Sequence, residues 1–177
     1  MRHVLVALVE DKPGVLNRVA SLFRRRAFNI ESLTVGHTER TGVSRITIAI
    51  DTDPPSARRL VAHLYKLVNV IQVTDLADSP AVNRDLALVK VGAGAEMRAG
   101  LLRVVDETRA HVVDSGDETM TIEITGEPEY LDLVISRLRP FGVVEMVRTG
   151  LVAMARGDEA LRMSNGSYAR QAAVALD

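Results

Sequence analysis

The chain has 177 residues, of which 47% are apolar and 25% charged, and a formal net charge of −1 at pH 7. That length admits one large or two small domains with real cores, and the near-zero charge removes any bulk electrostatic case for nucleic acid or anionic membrane. With no cysteine there is no disulfide framework, thiolate nucleophile or zinc-finger site. The start, Met1-Arg2-His3-Val4, opens a strand-like run rather than a signal peptide, and no apolar stretch reaches the ~18 residues of a membrane span. A soluble, cytoplasmic protein is expected.

Val4–Val9 is rich in β-branched residues and apolar on both faces, as in a central strand covered on two sides. Glu10-Asp11-Lys12-Pro13-Gly14 follows, and then an amphipathic run over Val15–Ala27. Proline sets φ, and glycine lets the backbone approach a ligand. The first amides of the helix that starts here point out of the loop unpaired, which suits a small anion such as a carboxylate. Acidic Asp11 beside them suits an ammonium, so one short loop has the chemistry to hold both ends of a free amino acid. The alternative is that Asp11–Gly14 is simply a good turn.

In the helix Val15, Leu16, Val19, Ala20, Phe23 and Ala27 share one face, and Arg24-Arg25-Arg26 at its end complements the macrodipole. Phe28–Gly36 reads as a second strand and Val43–Ile50 as a third, with Ile46, Ile48 and Ile50 alternating against Arg45, Thr47 and Ala49. Pro54-Pro55-Ser56 opens a second helix with a stripe of Leu60, Val61, Leu64, Leu67 and Val68, and Val70–Leu76 is a fourth strand. Asn29 falls just after the first helix as Asp11 falls just before it, and Val15 and Ile30 offer an apolar lining for a branched side chain.

Residues 78–84 read as a polar linker, after which the pattern repeats. Leu86–Val91 is strand-like, and a helix carries Met97, Leu101, Val104, Val105 and Thr108. Two further strands, His111–Asp114 and Thr119–Thr125, precede a helix opening at Pro128 and a last strand at Val143–Val147, with Leu151–Ala155 as an extension. The expected fold is α+β: two ferredoxin-like βαββαβ domains in tandem, over residues 1–77 and 85–158, with a loosely attached tail over 159–177. A sheet with helices on one side should show a polar second face, and Val4–Val9 does not. Either something covers it or the strand packs against a partner chain, and an oligomer is expected.

Nothing in the chain reads as catalytic. The four histidines are scattered, without HExxH spacing, and His63 reads as a solvated side chain. No serine sits in a nucleophile elbow, and Gly92-Ala93-Gly94-Ala95-Glu96-Met97 has methionine where a dinucleotide loop needs its third glycine. The same topology hosts RNA-binding domains, but those stack bases on strand aromatics, and the first and third strands here have none.

The run Leu8-Val9-Glu10-Asp11-Lys12-Pro13-Gly14-Val15-Leu16-Asn17-Arg18-Val19 resembles the opening of an ACT domain, a family of small-molecule sensors. Arg26-Ala27-Phe28-Asn29-Ile30-Glu31-Ser32-Leu33, Ser44-Arg45-Ile46-Thr47-Ile48 and Lys66-Leu67-Val68-Asn69-Val70 are similar to the small, regulatory subunits of acetolactate (acetohydroxyacid) synthase. Leu88-Val89-Lys90-Val91 and Arg148-Thr149-Gly150 extend the resemblance into the second half. It implies a non-catalytic subunit that forms a homodimer through its ACT domains and activates a large subunit carrying thiamine diphosphate, Mg2+ and FAD. It also implies feedback inhibition by valine or a related amino acid, bound at positions that correspond to Asp11, Gly14, Val15, Asn29 and Ile30. Some members have asparagine where this chain has Asp11, and the usual glycine before the aromatic is Ala27, expected to be a packing change. A free-standing ACT-type amino-acid-binding module acting on another enzyme or regulator is the competing expectation.

Overall fold

A computed structural model describes residues 1–158 and Leu161. Its first compact unit comprises Met1–Val82 together with the described residues from Leu151, and its second is Asn83–Gly150.

In the first unit, β1 (Arg2–Glu10), α1 (Val15–Arg25), β2 (Ser32–His37), β3 (Val43–Asp51), α2 (Pro54–Leu64) and β4 (Val70–Asp75) follow the expected order. The four strands form an antiparallel sheet in the order β2-β3-β1-β4. Period-two alternation splits β1 between two cores. Leu5, Ala7 and Val9 join Ile46, Ile48 and Ile50 beneath the buried stripes of both helices, Val15, Val19 and Phe23 from α1 and Leu60 and Leu64 from α2. Each such side chain contributes roughly 1.5–3 kcal/mol by leaving water.

The opposite residues, Val4 and Val6 with Ala49, are equally dry, and what covers them differs from expectation. Leu151 and Ala153, from the chain that follows the second unit, pack on this face together with Leu76. Ser32 Oγ accepts from the Leu151 N–H at 2.8 Å, Thr34 Oγ donates to the Leu151 carbonyl at 3.1 Å, and Arg45 donates to the Ala153 carbonyl. The segment expected as an extension of the second domain is thus β9 (Val152–Ala155), packed in the first unit. The apolar second face of β1 therefore does not call for a partner chain.

The second unit runs β5 (Ala81–Gly92), α3 (Ala95–Glu107), β6 (His111–Ser115), β7 (Thr119–Gly126), α4 (Pro128–Leu138) and β8 (Val143–Arg148). Strand order is β6-β7-β5-β8, the same path as in the first unit, and β9 pairs with β5 off that path. Residues 81–84 of the expected linker are already strand, because they begin β5. Ala87, Val89 and Val91 pack with Ile122, Ile124, Leu131 and Leu138 in a separate core. The buried Asp85 carboxylate accepts from Arg148 Nε at 2.8 Å, Thr149 Oγ at 3.1 Å and the Gly150 amide at 3.1 Å, closing this unit's end.

The repeat extends to local backbone detail. Register shifts lie between Leu8 and Val9 in the β1–β4 pair and between Lys90 and Val91 in the β5–β8 pair, one strand-end irregularity used twice. Helices α1 and α3 end alike, with Phe28 N–H donating to Phe23 O and Ala110 N–H to Val105 O, and with Ala27 (φ 56°) and Arg109 (φ 50°) left-handed. That is the Schellman arrangement, which normally recruits glycine. Ala27 is thus a backbone matter, not the packing change expected.

Three local expectations shift. Strand β2 begins at Ser32 rather than Phe28, so Asn29 and Ile30 stand in the connection after α1. Helix α2 ends at Leu64, and Val68, expected on its apolar stripe, is 84% exposed. His63 is half-buried, and that burial, with Arg26, Lys66 and Arg59 nearby, pushes its pKa below the usual value. The expected tail, 159–177, lies outside the described residues apart from Leu161.

Candidate functional site

The β1–α1 loop is held at its base by backbone hydrogen bonds. The Glu10 N–H donates to the Asn69 carbonyl, and the Asp11 N–H to the Gly42 carbonyl, both at 2.9 Å. Side chains tighten the same point: Asn69 Nδ2 donates to Glu10 Oε2 at 2.6 Å, Lys12 Nζ lies 3.0 Å from that oxygen, and Arg18 donates to Asn69 Oδ1 at 3.1 Å. The hydrogen bond from Asn69, then that from Lys12, hold the Glu10 carboxyl below the usual carboxylate range, against an opposing desolvation effect. The loop is therefore built to one conformation on an anionic anchor.

At its tip Gly14 takes φ 81°, a left-handed conformation that other residues adopt only with strain, and no side chain caps α1. The Val15 N–H donates to the Lys12 carbonyl and the Arg18 N–H to the Gly14 carbonyl. Among the described residues the amides of Leu16 and Asn17 have no such partner. Unsatisfied amides on the positive end of a helix attract an anion by ~0.3–1 kcal/mol when exposed. A Cβ built on Gly14 would meet nothing within 4 Å, so the ground above the loop is open.

The five residues expected at the site do not all play the expected part. Asp11 is exposed, its carboxylate 3.5 Å from His37 Nδ1 at the end of β2, a neighbour the sequence alone did not suggest. Gly14 leads the helix. Val15 is only 5% exposed and its side chain belongs to the core under the sheet, so it lines no open pocket and contributes backbone alone. Asn29 is exposed and makes no hydrogen bond among the described residues, while Ile30 is half-buried against the core. No hydrogen bond joins Asn29 to the Asp11–Gly14 loop within one chain.

In the corresponding loop of the second unit the amides just before the helix are held by the chain itself, while Gly94 leads α3 without a side-chain cap as Gly14 leads α1. The Gly92 N–H donates to the Gly142 carbonyl at 3.0 Å and the Ala93 N–H to the Glu118 carbonyl at 2.8 Å. A Cβ on Gly92 would lie 2.8 Å from the Phe141 carbonyl oxygen, so that glycine is there for close backbone packing. Among the described residues no cluster of His, Asp and Glu could hold a metal ion, and no helix is long and apolar enough to cross a membrane.

Two βαββαβ units in tandem, each with a glycine-led helix that no side chain caps after its first strand, define a double ferredoxin-like protein. A family model described as the AHAS small subunit-like ACT domain matches residues 5–72, and one for the small subunit of acetolactate synthase matches residues 84–157. The chain belongs to the family of acetolactate synthase small subunits. It is 45% identical over 155 residues to the acetolactate synthase small subunit of Mycolicibacterium smegmatis, covering 88% of this chain and 91% of that one. It is 43% identical over 159 residues to the probable acetolactate synthase small subunit of Archaeoglobus fulgidus, covering 90% and 99%. The crystal structure of the acetolactate synthase small subunit from Thermotoga maritima superposes with a TM-score of 0.84 at 37% identity, over 90% of this chain and 99% of that one.

Proposed function

We propose that the chain is the regulatory, non-catalytic subunit of an acetolactate synthase in branched-chain amino-acid biosynthesis. It activates a large catalytic subunit, which carries thiamine diphosphate, Mg2+ and FAD, and confers feedback inhibition by valine or a related amino acid. The observation that carries this reading is the open, uncapped start of α1 at Gly14, with the Leu16 and Asn17 amides available to a carboxylate and Asp11 beside them for an ammonium. One such end is too weak an anion site by itself, at ~0.3–1 kcal/mol, so further contacts are needed. A second ACT domain supplies them. Among the described residues the edge strand β2 pairs in the sheet with β3 alone. In the proposed homodimer two such edges join, and Asn29 and Ile30 of one protomer come toward the loop of its partner.

Effector seated between two ACT domains favours the dimer geometry that activates the large subunit less well. It shifts that equilibrium only by its differential affinity for the two geometries. The test is to reconstitute the chain with its large subunit and measure acetolactate formation with and without valine. Gly14→Asp, which puts bulk and negative charge at the carboxylate position, is expected to remove valine inhibition and leave activation largely intact. Gly14→Asn, which tolerates the left-handed backbone without a charge, controls for folding. Unchanged valine sensitivity in Gly14→Asp overturns the site, and no activation of the large subunit returns the chain to a free-standing amino-acid-binding module.

A further inference from the structure

On the face of the first unit's sheet away from its helices lies a cavity of about 220 Å3. Leu8 and Arg45 are register partners across β1 and β3, and both side chains line it, with Val43 and Met154 completing an apolar wall. The alternation that sends Leu5, Ala7 and Val9 to the helices sends Leu8 here, so the cavity opens on the opposite face of the sheet from α1, with His37, 3.5 Å from Asp11, on its rim. Of the charged residues around it, Arg40 is paired with Glu39 at 3.8 Å. Arg45 is not paired. It is half-buried, its guanidinium donates to the Ala153 carbonyl, and among the described residues it forms no ion pair. Burial pushes its pKa down from the usual value, with Glu39 opposing, as expected of a cation partly out of water without a full counter-charge.

A guanidinium with one neutral acceptor keeps most of its five donors, in a planar fork that matches a carboxylate. Beside an aliphatic wall, that combination selects an anion with a short hydrocarbon tail. We propose that this cavity binds a small aliphatic monocarboxylate, with the carboxylate on Arg45 and the hydrocarbon on Leu8, Val43 and Met154. Glu39, the one carboxylate among the lining residues, is 83% exposed and faces Arg40, so the class is a carboxylic or 2-oxo acid, which needs no ammonium partner. The inference rests on this geometry and not on the function proposed above.

Isovalerate titrated into the full chain, followed by NMR at the Met154 methyl and the Arg45 side-chain N–H, tests it. Saturable shifts at both groups are expected. Loss of a charge-assisted contact should weaken binding by roughly tenfold or more in Arg45→Met. Met154→Asp, at a side chain 62% exposed and therefore safe for folding, should weaken it similarly by repulsion. Gly14→Asp should leave these shifts unchanged. No shift at the Met154 methyl up to about 10 mM, an affinity of no consequence, overturns the proposal. So do shifts confined to the Leu16 and Asn17 amides and lost in Gly14→Asp, which assign the carboxylate to the α1 loop instead.

Discussion

Glu10 and Asn69 bind each other twice, the Glu10 N–H to the Asn69 carbonyl at 2.9 Å and Asn69 Nδ2 to Glu10 Oε2 at 2.6 Å. The pair ties the end of β1 to the approach to β4 and sets the platform from which the β1–α1 loop rises. Because the native carboxyl titrates below its ordinary value of 4.5, its contribution to stability is fully present above that value and is lost as pH falls through the native pKa. Glu10→Gln, which mimics the protonated group, should therefore be less stable than wild type above about pH 4.5, and the gap should close in more acidic solution. Urea unfolding at a series of pH values checks this, and a gap independent of pH contradicts it.

Ala27 holds a left-handed backbone, φ 56°, at the end of α1. An L-residue with a Cβ is disfavoured there by roughly 1–2 kcal/mol, part of which glycine loses again through its freer unfolded chain. Ala27→Gly is expected to stabilise the protein by about 0.5–1 kcal/mol, and Arg109→Gly, at the equivalent turn after α3, by a similar amount. Thermal unfolding of the single and double variants measures both.

Leu151 is 2% exposed and reaches the first unit only after the whole of the second has been traversed. Truncation to alanine leaves a hole over Val4, Val6 and Ala49, and Leu→Ala at such sites costs about 2–5 kcal/mol. Faster hydrogen exchange of the β1 and β3 amides, for instance at Val6 and Thr47, is the expected sign.

Arg148 meets two carboxylates of unequal worth. Asp85 is 5% exposed and pairs with Arg148 Nη2 at 2.6 Å, whereas Asp132 is 67% exposed and pairs with Nη1 at 2.7 Å. Removing the buried partner leaves Arg148 with Asp132 alone and takes the acceptor from Thr149 and the Gly150 amide, so Asp85→Ala should destabilise the second unit by about 1–3 kcal/mol. Asp132→Ala should cost under about 1 kcal/mol, because water replaces an exposed partner. Unfolding free energies of the two variants decide between these magnitudes, and equal losses contradict the argument from burial.

Much of the fold was legible because its signals are local. Ile46, Ile48 and Ile50 alternate, Val15, Val19 and Phe23 recur at helical spacing, and Pro54 and Pro128 stand in the first turns of their helices. Asp11 and Gly14 could be placed in the β1–α1 loop for the same reason: loop chemistry between a strand and a helix is written in consecutive residues. The left-handed role of Ala27 was not legible, since nothing about alanine announces a positive φ; only the 6→1 hydrogen bond from Phe28 to Phe23 does.

By itself the sequence determined that β1 has two dry faces, that the topology repeats, and that a glycine-bearing loop joins the first strand to the first helix. Tertiary structure alone decided what lies against those faces. Alternation says that a side chain such as Val6 must be covered, but not by what, because a contact between Val6 and Leu151 spans the whole second unit and leaves no periodic trace. The same long-range packing drew Val15 into the core, left Asn29 outside it, and set Arg45 half out of water beside Leu8.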